Sequence, residues 1–151
     1  MNTDDTRLRG ILEGVSTIAV LGIKAGDADD AFRVPRYMQG RGYRILPVNP
    51  KLDAVLGERV APALANVAEP IDLVNVFRAP RFLPGHVDEI LALSPRPKAV
   101  WMQLGVRDDA QAERLEAAGI EVVQDRCILV EHRRLVAEQR DAPSDPAPRR
   151  S

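Results

Sequence analysis

The fold is decided by the stretch Thr17-Ile-Ala-Val-Leu-Gly-Ile-Lys-Ala-Gly26. Its first half is almost continuously apolar and contains β-branched residues, which is typical of a parallel strand that is covered on both faces. Gly22 and Gly26 then allow a tight turn, and the acidic residues 27–30 lead into a helical pattern. The stretch therefore predicts a buried strand that runs through a glycine turn into a helix.

Four further apolar runs follow the first. Each has Gly, Pro, Asn or Asp close to at least one end, which predicts strands at residues 43–48, 71–77, 98–104 and 120–124. Helical patterns occupy residues 30–39, 63–67, 87–93, 108–118 and 129–139. This alternation predicts an α/β fold, an open parallel sheet of about five strands with helices on both faces.

Composition limits the class of protein. The chain has 151 residues, of which 45% are hydrophobic and 28% are charged, and its formal net charge is −1. These values predict one globular domain at residues 1–140, followed by a disordered, proline-containing tail at residues 141–151. Because the charge balance offers no basic face, we expect no nucleic-acid partner.

The same residues exclude other classes. The polar, acidic N-terminus does not resemble a signal peptide, and the longest apolar stretch, residues 18–23, is too short to cross a membrane. A single cysteine, Cys127, fits a reducing compartment, so we expect a cytoplasmic protein without a membrane partner. The two histidines have no metal-binding spacing, which predicts no metal site.

Parallel sheets bind ligands at the carboxyl ends of their strands. After the first strand, Gly22 lets backbone amides approach a phosphate, with Lys24 and Arg33 as cationic partners. The alternative is that Gly22 only permits the turn. The full dinucleotide fingerprint G-x-G-x-x-G is absent.

After the second strand, Asn49 stands where an NAD site has an acidic residue. Lys51 is either a partner for an additional phosphate or a solvated surface lysine.

The remaining strand ends also carry candidates. Phe77 and Arg78 are expected either to flank a nucleotide or to belong to the core and its rim. After the fourth strand, Gln103 and the backbone of Gly105 form a polar rest for an amide-bearing ligand, and Trp101 is expected in the core. After the fifth strand, Cys127 is expected to be a small buried side chain rather than a nucleophile.

Taken in order, these motifs resemble a known family, the small stand-alone CoA-binding domain proteins. They are similar to the N-terminal Rossmann-like domain of the succinyl-CoA synthetase α-subunit. The matching stretches cover about residues 10–135, and no single one is diagnostic. They are residues 18–23, 33–34, 42–44, 47–51, 72–78, 100–105, 125–128 and 131–133.

The resemblance implies that coenzyme A, free or acylated, binds across the strand ends. It assigns the diphosphate region to Gly22, Ile23, Lys24 and Arg33, and the 3′-phosphate end to Asn49, Pro50 and Lys51. It places Phe77 and Arg78 beside the nucleotide, and Gln103, Leu104 and Gly105 beside the pantetheine arm. It also implies a binding module without complete catalytic machinery, and so no catalytic residue.

Several alternatives remain open from the sequence. One is an NAD(P)-linked oxidoreductase of the same architecture, which the broken glycine fingerprint and Asn49 disfavour. A second is a thiol-redox role in which Cys127 pairs with the thiol of coenzyme A. A third is an accessory subunit that docks to a synthetase-like enzyme. A homodimer is one expected assembly for so small a unit.

Overall fold

The five apolar runs form one parallel sheet in the computed structural model, which describes residues 3–138. Its strands are β1 (Thr17–Leu21), β2 (Arg44–Val48), β5 (Leu73–Val76), β6 (Ala99–Met102) and β7 (Glu121–Val123). Their spatial order is β2-β1-β5-β6-β7, and all neighbouring pairs are parallel. The predicted Rossmann-like α/β fold is confirmed. The strands are shorter than the apolar runs; Gly22, for example, has a φ of 82° and turns the chain out of the sheet.

Five helices surround the sheet: α1 (Thr3–Gly14), α2 (Asp30–Gly40), α3 (Leu83–Leu91), α4 (Asp109–Ala117) and α5 (Ile128–His132). Alternate strand residues point to opposite faces, so Ile18 and Val20 pack on one side and Ala19 and Leu21 on the other. The first side is covered by α1, α2 and α5, and the second by α3 and α4. The sheet is therefore buried on both faces, as its apolar strands require.

Helix α1 was not predicted from the sequence. Its residues Leu8, Ile11 and Leu12 have the spacing of one helix face, and all three are buried. The helix docks beside the C-terminal end of the described chain, where Asp5 receives two hydrogen bonds from Arg134 at 3.0 and 2.8 Å.

Residues 52–68 contain a small hairpin that was not predicted. Strands β3 (Ala54–Val55) and β4 (Glu58–Arg59) pair antiparallel across Leu56 and Gly57, whose φ angles are 54° and 77°. Positive φ at both turn residues is typical of a two-residue type I′ hairpin. The predicted short helix at residues 63–67 is a 3-10 turn, Leu64–Asn66.

The remaining helices differ from expectation mainly at their ends. Helix α3 begins at Leu83 rather than residue 87, because Pro84 and Gly85 fall in its first turn, where proline is tolerated. Asp108 caps α4 by accepting from the amide of Gln111 at 3.2 Å. Asp108 and Gln111 have the spacing of a capping box, but the amide of Asp108 donates to Gln124 at 2.7 Å, so only the hydrogen bond from Gln111 to Asp108 forms.

The C-terminal helix corrects one interpretation. The sequence Glu131-His-Arg-Arg134 predicts a charged face of an exposed helix, but Glu131 and His132 are buried. Glu131 lies within 3.7 Å of Arg126 and 2.5 Å of Arg134, and His132 Nδ1 lies 3.1 Å from the Tyr37 hydroxyl. The helix continues as a π-helix over Arg133–Ala137. Gln139 and the predicted tail at residues 141–151 lie outside the described residues.

Within residues 3–138, no helix has the length and apolar character needed to cross a membrane.

Candidate functional site

The candidate site lies at the carboxyl edge of the sheet, where the chain changes direction. The chain crosses from β1 to β2 on one side and then passes back to β5 on the other side of β1. In open parallel sheets, such a switch point leaves a crevice between the loops that follow the two strands. Here the crevice lies beyond the paired residues Leu21 and Val76, between loops that begin with Gly22 and Phe77.

Gly22 and Arg78 are in contact across this crevice. A Cβ atom on Gly22 would lie 3.1 Å from Arg78 Cδ and 3.2 Å from both Arg78 Cγ and the carbonyl oxygen of Phe77. The amide of Gly22 donates to the carbonyl of Val48 at 3.1 Å, and that of Phe77 donates to Leu21 at 2.9 Å. Glycine is therefore needed here both for its positive φ and for the close approach of Arg78.

A cavity of about 130 Å³ adjoins this contact. Two nitrogens of its lining side chains, Arg78 Nε and His86 Nε2, are buried and have no hydrogen-bond partner among residues 3–138. The other ring nitrogen of His86, Nδ1, lies 2.7 Å from Glu89 Oε1. Because buried polar atoms are nearly always hydrogen-bonded, two unused nitrogens at one cavity indicate a place for a polar group of a ligand.

The two cations that follow β1, Lys24 in the loop and Arg33 in α2, contact carboxylate or carbonyl groups of residues 27–30. Arg33 donates to the carbonyl of Asp27 at 2.6 Å and to the carboxylate of Asp30. Lys24 Nζ lies 3.9 Å from a carboxylate oxygen of Asp29, and both side chains are about half exposed. Arg33 therefore has to release its partners before it can reach a ligand, whereas the loose contact of Lys24 costs little to break.

The start of α2 is occupied by a carboxylate of the same chain. Asp29 Oδ1 accepts from the amide of Ala31 at 2.9 Å, and the carbonyl of Ala31 accepts from the amide of Lys24 at 3.2 Å. A phosphate at this helix start has to compete with Asp29. The side chain of Ile23 is fully buried in the core, so only the backbone of this residue is available to a ligand.

Asn49 joins the loops after β1 and β2. Its Nδ2 donates to the carbonyl of Ile23 at 2.7 Å, and its Oδ1 accepts from the amide of Lys51 at 2.7 Å. Asn49 therefore shapes the crevice, and Pro50 lines the cavity beside it. The Lys51 side chain is exposed and forms no ion pair with any residue in the described part of the chain.

The loop after β5 presents an arginine over an aromatic ring. Phe77 is half-buried and packs against the core. Arg78 Cζ lies 4.0 Å from the centre of the Phe82 ring, and Arg81 approaches the same ring at 4.6 Å. Arg78 forms no ion pair within residues 3–138, so its charge remains available to an anionic ligand.

The end of β6 is tied to the start of α5. Gln103 is buried, and its Oε1 accepts from Asn75 Nδ2 at 3.1 Å and from the amide of Ile128 at 2.9 Å. Of the polar atoms in the Gln103 side chain, only Nε2 remains without a partner in the described chain. Leu104 beyond it is exposed over 67% of its surface, and Gly105, with a φ of 83°, donates from its amide to Asp125 at 2.7 Å.

Two other expectations concern the interior. Trp101 is fully buried, and its indole nitrogen donates to the carbonyl of Arg126 at 2.9 Å, which confirms its place in the core. Cys127 is half-buried against the core at the N-terminal cap of α5. Across residues 3–138, no cluster of His, Cys, Asp or Glu side chains is arranged to hold a metal ion.

Sequence reasoning missed His86 and Glu89. The interval of 64 residues between Gly22 and His86 hides their proximity, because the switch in strand order alone brings α3 to the end of β1. Their i, i+3 spacing was the available signal, since such pairs share one face of a helix.

A second cavity, of about 280 Å³, lies at the opposite, amino edge of the sheet between α1 and the starts of β6 and β7. Its charged groups are engaged: Arg7 pairs with Glu121 at 2.9 Å, and Lys98 donates to the carbonyl of Gly14 at 3.1 Å. It is larger than the cavity beside Gly22, but it has no unused buried nitrogen among the described residues.

Two carboxylates away from the carboxyl edge, Asp5 and Glu69, have lowered pKa values. A hydrogen bond from Arg134 holds the pKa of Asp5 below its ordinary value of 3.8. A hydrogen bond from Arg44, at the start of β2, lowers the pKa of Glu69 in the same way. Both carboxylates therefore serve structural ion pairs on the surface.

Comparison with known proteins agrees with the fold. The chain is 34% identical over 131 residues to YneT, an uncharacterized protein of Bacillus subtilis (strain 168), and the match covers 87% of this chain and 96% of that protein. A solved structure from Thermus thermophilus is 44% identical, covers 89% of this chain and 99% of its own, and superposes with a TM-score of 0.82.

A larger enzyme contains a similar fold. The structure of acetyl-coenzyme A synthetase 1 from Ca. Korarchaeum cryptofilum, in complex with phosphate and ADP, matches 71% of this chain and 25% of its own with a TM-score of 0.62. At 18% identity, this likeness concerns the fold alone. Residues 16–133 match the sequence family described as the CoA binding domain, which includes every strand of the sheet. The chain therefore belongs to the CoA binding domain family.

Proposed function

We propose that this chain binds coenzyme A or an acyl-CoA at the carboxyl edge of its sheet, and that it acts as a binding module. The observation that carries the proposal is the contact between Gly22 and Arg78 beside a cavity with unused buried nitrogens. A glycine turn at a switch point lets a diphosphate approach the backbone. Membership of the CoA binding domain family supports the same ligand.

The charges around the crevice suit a ligand with several phosphates. Arg78 and Lys51 lie at the ends of two different strands, and neither forms an ion pair within residues 3–138. We assign the diphosphate to the turn that begins at Gly22, with the backbone of Ile23, Lys24 and Arg78 as its contacts, because the amide of Gly22 itself donates to Val48. Lys51 is assigned to the 3′-phosphate, because an exposed lysine beside the crevice binds phosphate as a point charge.

The pantetheine arm is assigned to the end of β6. Gln103 keeps an amide nitrogen for the carbonyl groups of the arm, and Leu104 offers an exposed apolar surface. Arg33 is placed in a secondary role, since it contacts phosphate only after it leaves Asp27 and Asp30.

Calorimetric titration with coenzyme A, dephospho-CoA and NADP tests the proposal. We expect coenzyme A to bind about ten- to a hundredfold more tightly than dephospho-CoA, because one charge-assisted hydrogen bond is worth about 1.5–3 kcal/mol. Lys51→Ala should remove that preference. Lys98→Ala is the matched control, because Lys98 is an exposed lysine at the opposite edge and should keep the preference.

Two results would contradict the proposal. Folded protein that shows no binding of coenzyme A at millimolar concentration would refute it outright. Tighter binding of NADP than of coenzyme A would favour the NAD(P)-linked oxidoreductase instead.

A further inference from the structure

Resting on the proposed function, we propose that His86 is a ligand-binding residue. In its protonated form, and together with Arg78, it holds a diphosphate oxygen of the bound cofactor in the cavity beside Gly22. Ligand binding at this edge is then coupled to the uptake of one proton by the protein.

Two unpartnered nitrogens belong to side chains that line one small cavity, and a side-chain rotation is needed to present each nitrogen to a ligand there. Arg78 Nε and His86 Nε2 both belong to side chains that line it, both atoms are buried, and neither has a partner in residues 3–138. The volume of about 130 Å³ far exceeds the roughly 10–15 Å³ that one water needs. A phosphoryl group therefore fits, and it accepts hydrogen bonds from several donors at once.

The pairing of His86 with Glu89 determines what Nε2 can do. Nδ1 lies 2.7 Å from the Glu89 carboxylate and donates to it. In the neutral ring, Nε2 is then an acceptor, which repels a phosphate oxygen; in the protonated ring it is a donor. A phosphate can thus use both nitrogens of the site only when His86 carries its proton.

The net charge of the site leads to the same conclusion. With neutral His86, the negative Glu89 offsets the positive Arg78, and a phosphate gains little from the cavity. With protonated His86, the histidine and Glu89 neutralise each other, and the charge of Arg78 faces the phosphate alone. Imidazole is in general the side chain that changes charge between pH 5 and 8, so measurements at both ends of that interval test the difference.

The other elements packed on α3 bring few charges to this face. The 3-10 turn Pro80–Phe82 contributes Arg81, which lies over Phe82, and the turn Leu64–Asn66 contains no titratable side chain. Helix α4 contributes Arg114, which pairs with Asp88 at 2.6 Å. Neither Arg81, Asp88 nor Arg114 lines the cavity.

The test is titration with dephospho-CoA at pH 5.5 and pH 8 in two buffers of different ionisation enthalpy. Dephospho-CoA lacks the 3′-phosphate, whose own protonation changes near pH 6, so any pH dependence comes from the protein. We expect binding about tenfold tighter at pH 5.5, the size of one charge-assisted hydrogen bond. The observed enthalpy should vary with the buffer, because a proton is taken up.

Variants identify the groups. His86→Gln, which keeps a side-chain nitrogen donor without a charge, should bind with the same affinity at both pH values and without proton uptake. Arg78→Ala should weaken binding at both pH values. Arg81→Ala is its matched control, since Arg81 contacts the same Phe82 ring and is expected to leave binding unchanged.

The outcomes separate this inference from the proposed function. If dephospho-CoA binds with a flat pH profile, or if His86→Gln keeps the pH dependence, the role of His86 is refuted and the coenzyme site stands. A pH dependence that appears with coenzyme A but not with dephospho-CoA also refutes it. Absence of any binding by either ligand overturns both proposals.

Discussion

At the scale of single residues, Gly22 is the position on which the crevice depends. Its φ of 82° belongs to the region that costs other residues about 1–2 kcal/mol. Its missing side chain also leaves the space that Arg78 and the Phe77 carbonyl occupy, at 3.1 and 3.2 Å from a hypothetical Cβ. The cost of the positive φ can be separated from the cost of the contact with Arg78, because Gly119 also has a positive φ but has no atom within 4 Å of an added Cβ.

We expect Gly22→Ala to lower the free energy of unfolding by about 2–5 kcal/mol, the sum of backbone strain and local overpacking. Gly119→Ala is the matched control: its φ is 85° and no atom lies within 4 Å of the added Cβ, so it should lose only about 1–2 kcal/mol. Urea unfolding monitored through Trp101 measures both. Equal losses in the two variants would show that the contact with Arg78 is unimportant.

The residue scale also shows why the sequence identified only part of the candidate site. Gly22, Asn49, Arg78 and Gln103 lie at strand ends, so the predicted sheet brings them to one edge without further information. Their hydrogen-bond partners were not predictable, because Gln103 is largely used to hold Ile128, a contact that depends on where α5 docks. Side-chain pairing of this kind is decided by tertiary packing.

At the scale of elements, helix α1 is fixed to the body of the molecule by ion pairs as well as by apolar contacts. Asp5 accepts from Arg134 at 3.0 and 2.8 Å, and Asp4 accepts from Arg126 at 2.9 Å. The hydrogen bond from Arg134 lowers the pKa of Asp5 in the folded protein. A carboxylate whose pKa is lower folded than unfolded stabilises the fold above its unfolded value, and this contribution is lost as the pH falls through the folded value.

We therefore expect Asp5→Asn to be less stable than the wild type at neutral pH, because it removes this contribution. The difference should begin to shrink as the pH falls below 3.8, the ordinary pKa of the unfolded chain, and should vanish only below the lower pKa that Asp5 has in the folded protein. Urea midpoints at a series of pH values measure the effect. Glu113→Gln on α4 is the control, since Glu113 has no ion pair among the described residues and should leave the midpoint unchanged. A constant difference at all pH values would exclude the ion pair as its cause.

Elements differ in how far the sequence predicts them. The five strands were predictable because burial on both faces demands apolar runs. Helix α1 was not predicted although Leu8, Ile11 and Leu12 have helical spacing. A short amphipathic segment owes most of its helical stability to the surface on which it packs, and that surface is not visible in the sequence. The β3–β4 hairpin was not predicted because each of its strands has only two residues, too few to show an alternation of apolar and polar residues.

At the scale of the whole molecule, the strand order gives the two edges of the sheet different roles. The carboxyl edge gathers the loops after β1, β2, β5 and β6 around the switch point, with the unused nitrogens of Arg78 and His86. The amino edge has the larger cavity, but Arg7, Glu121 and Lys98 there are engaged with one another or with the backbone. Unused polar groups, rather than cavity size, therefore favour the carboxyl edge as the ligand site.

Hydrogen exchange with and without coenzyme A distinguishes the two edges. We expect amides at residues 22–26, 49, 51, 77–79 and 103–105 to exchange more slowly with ligand, by a factor of up to about ten at a free concentration of ten times Kd. Residues 7–15 and 98–99, around the larger cavity, serve as the internal control and should keep their rates. Slowing confined to residues 7–15 and 98–99 would place the ligand at the amino edge. In that case the contact between Gly22 and Arg78 would be a structural feature of the switch point and not a ligand site.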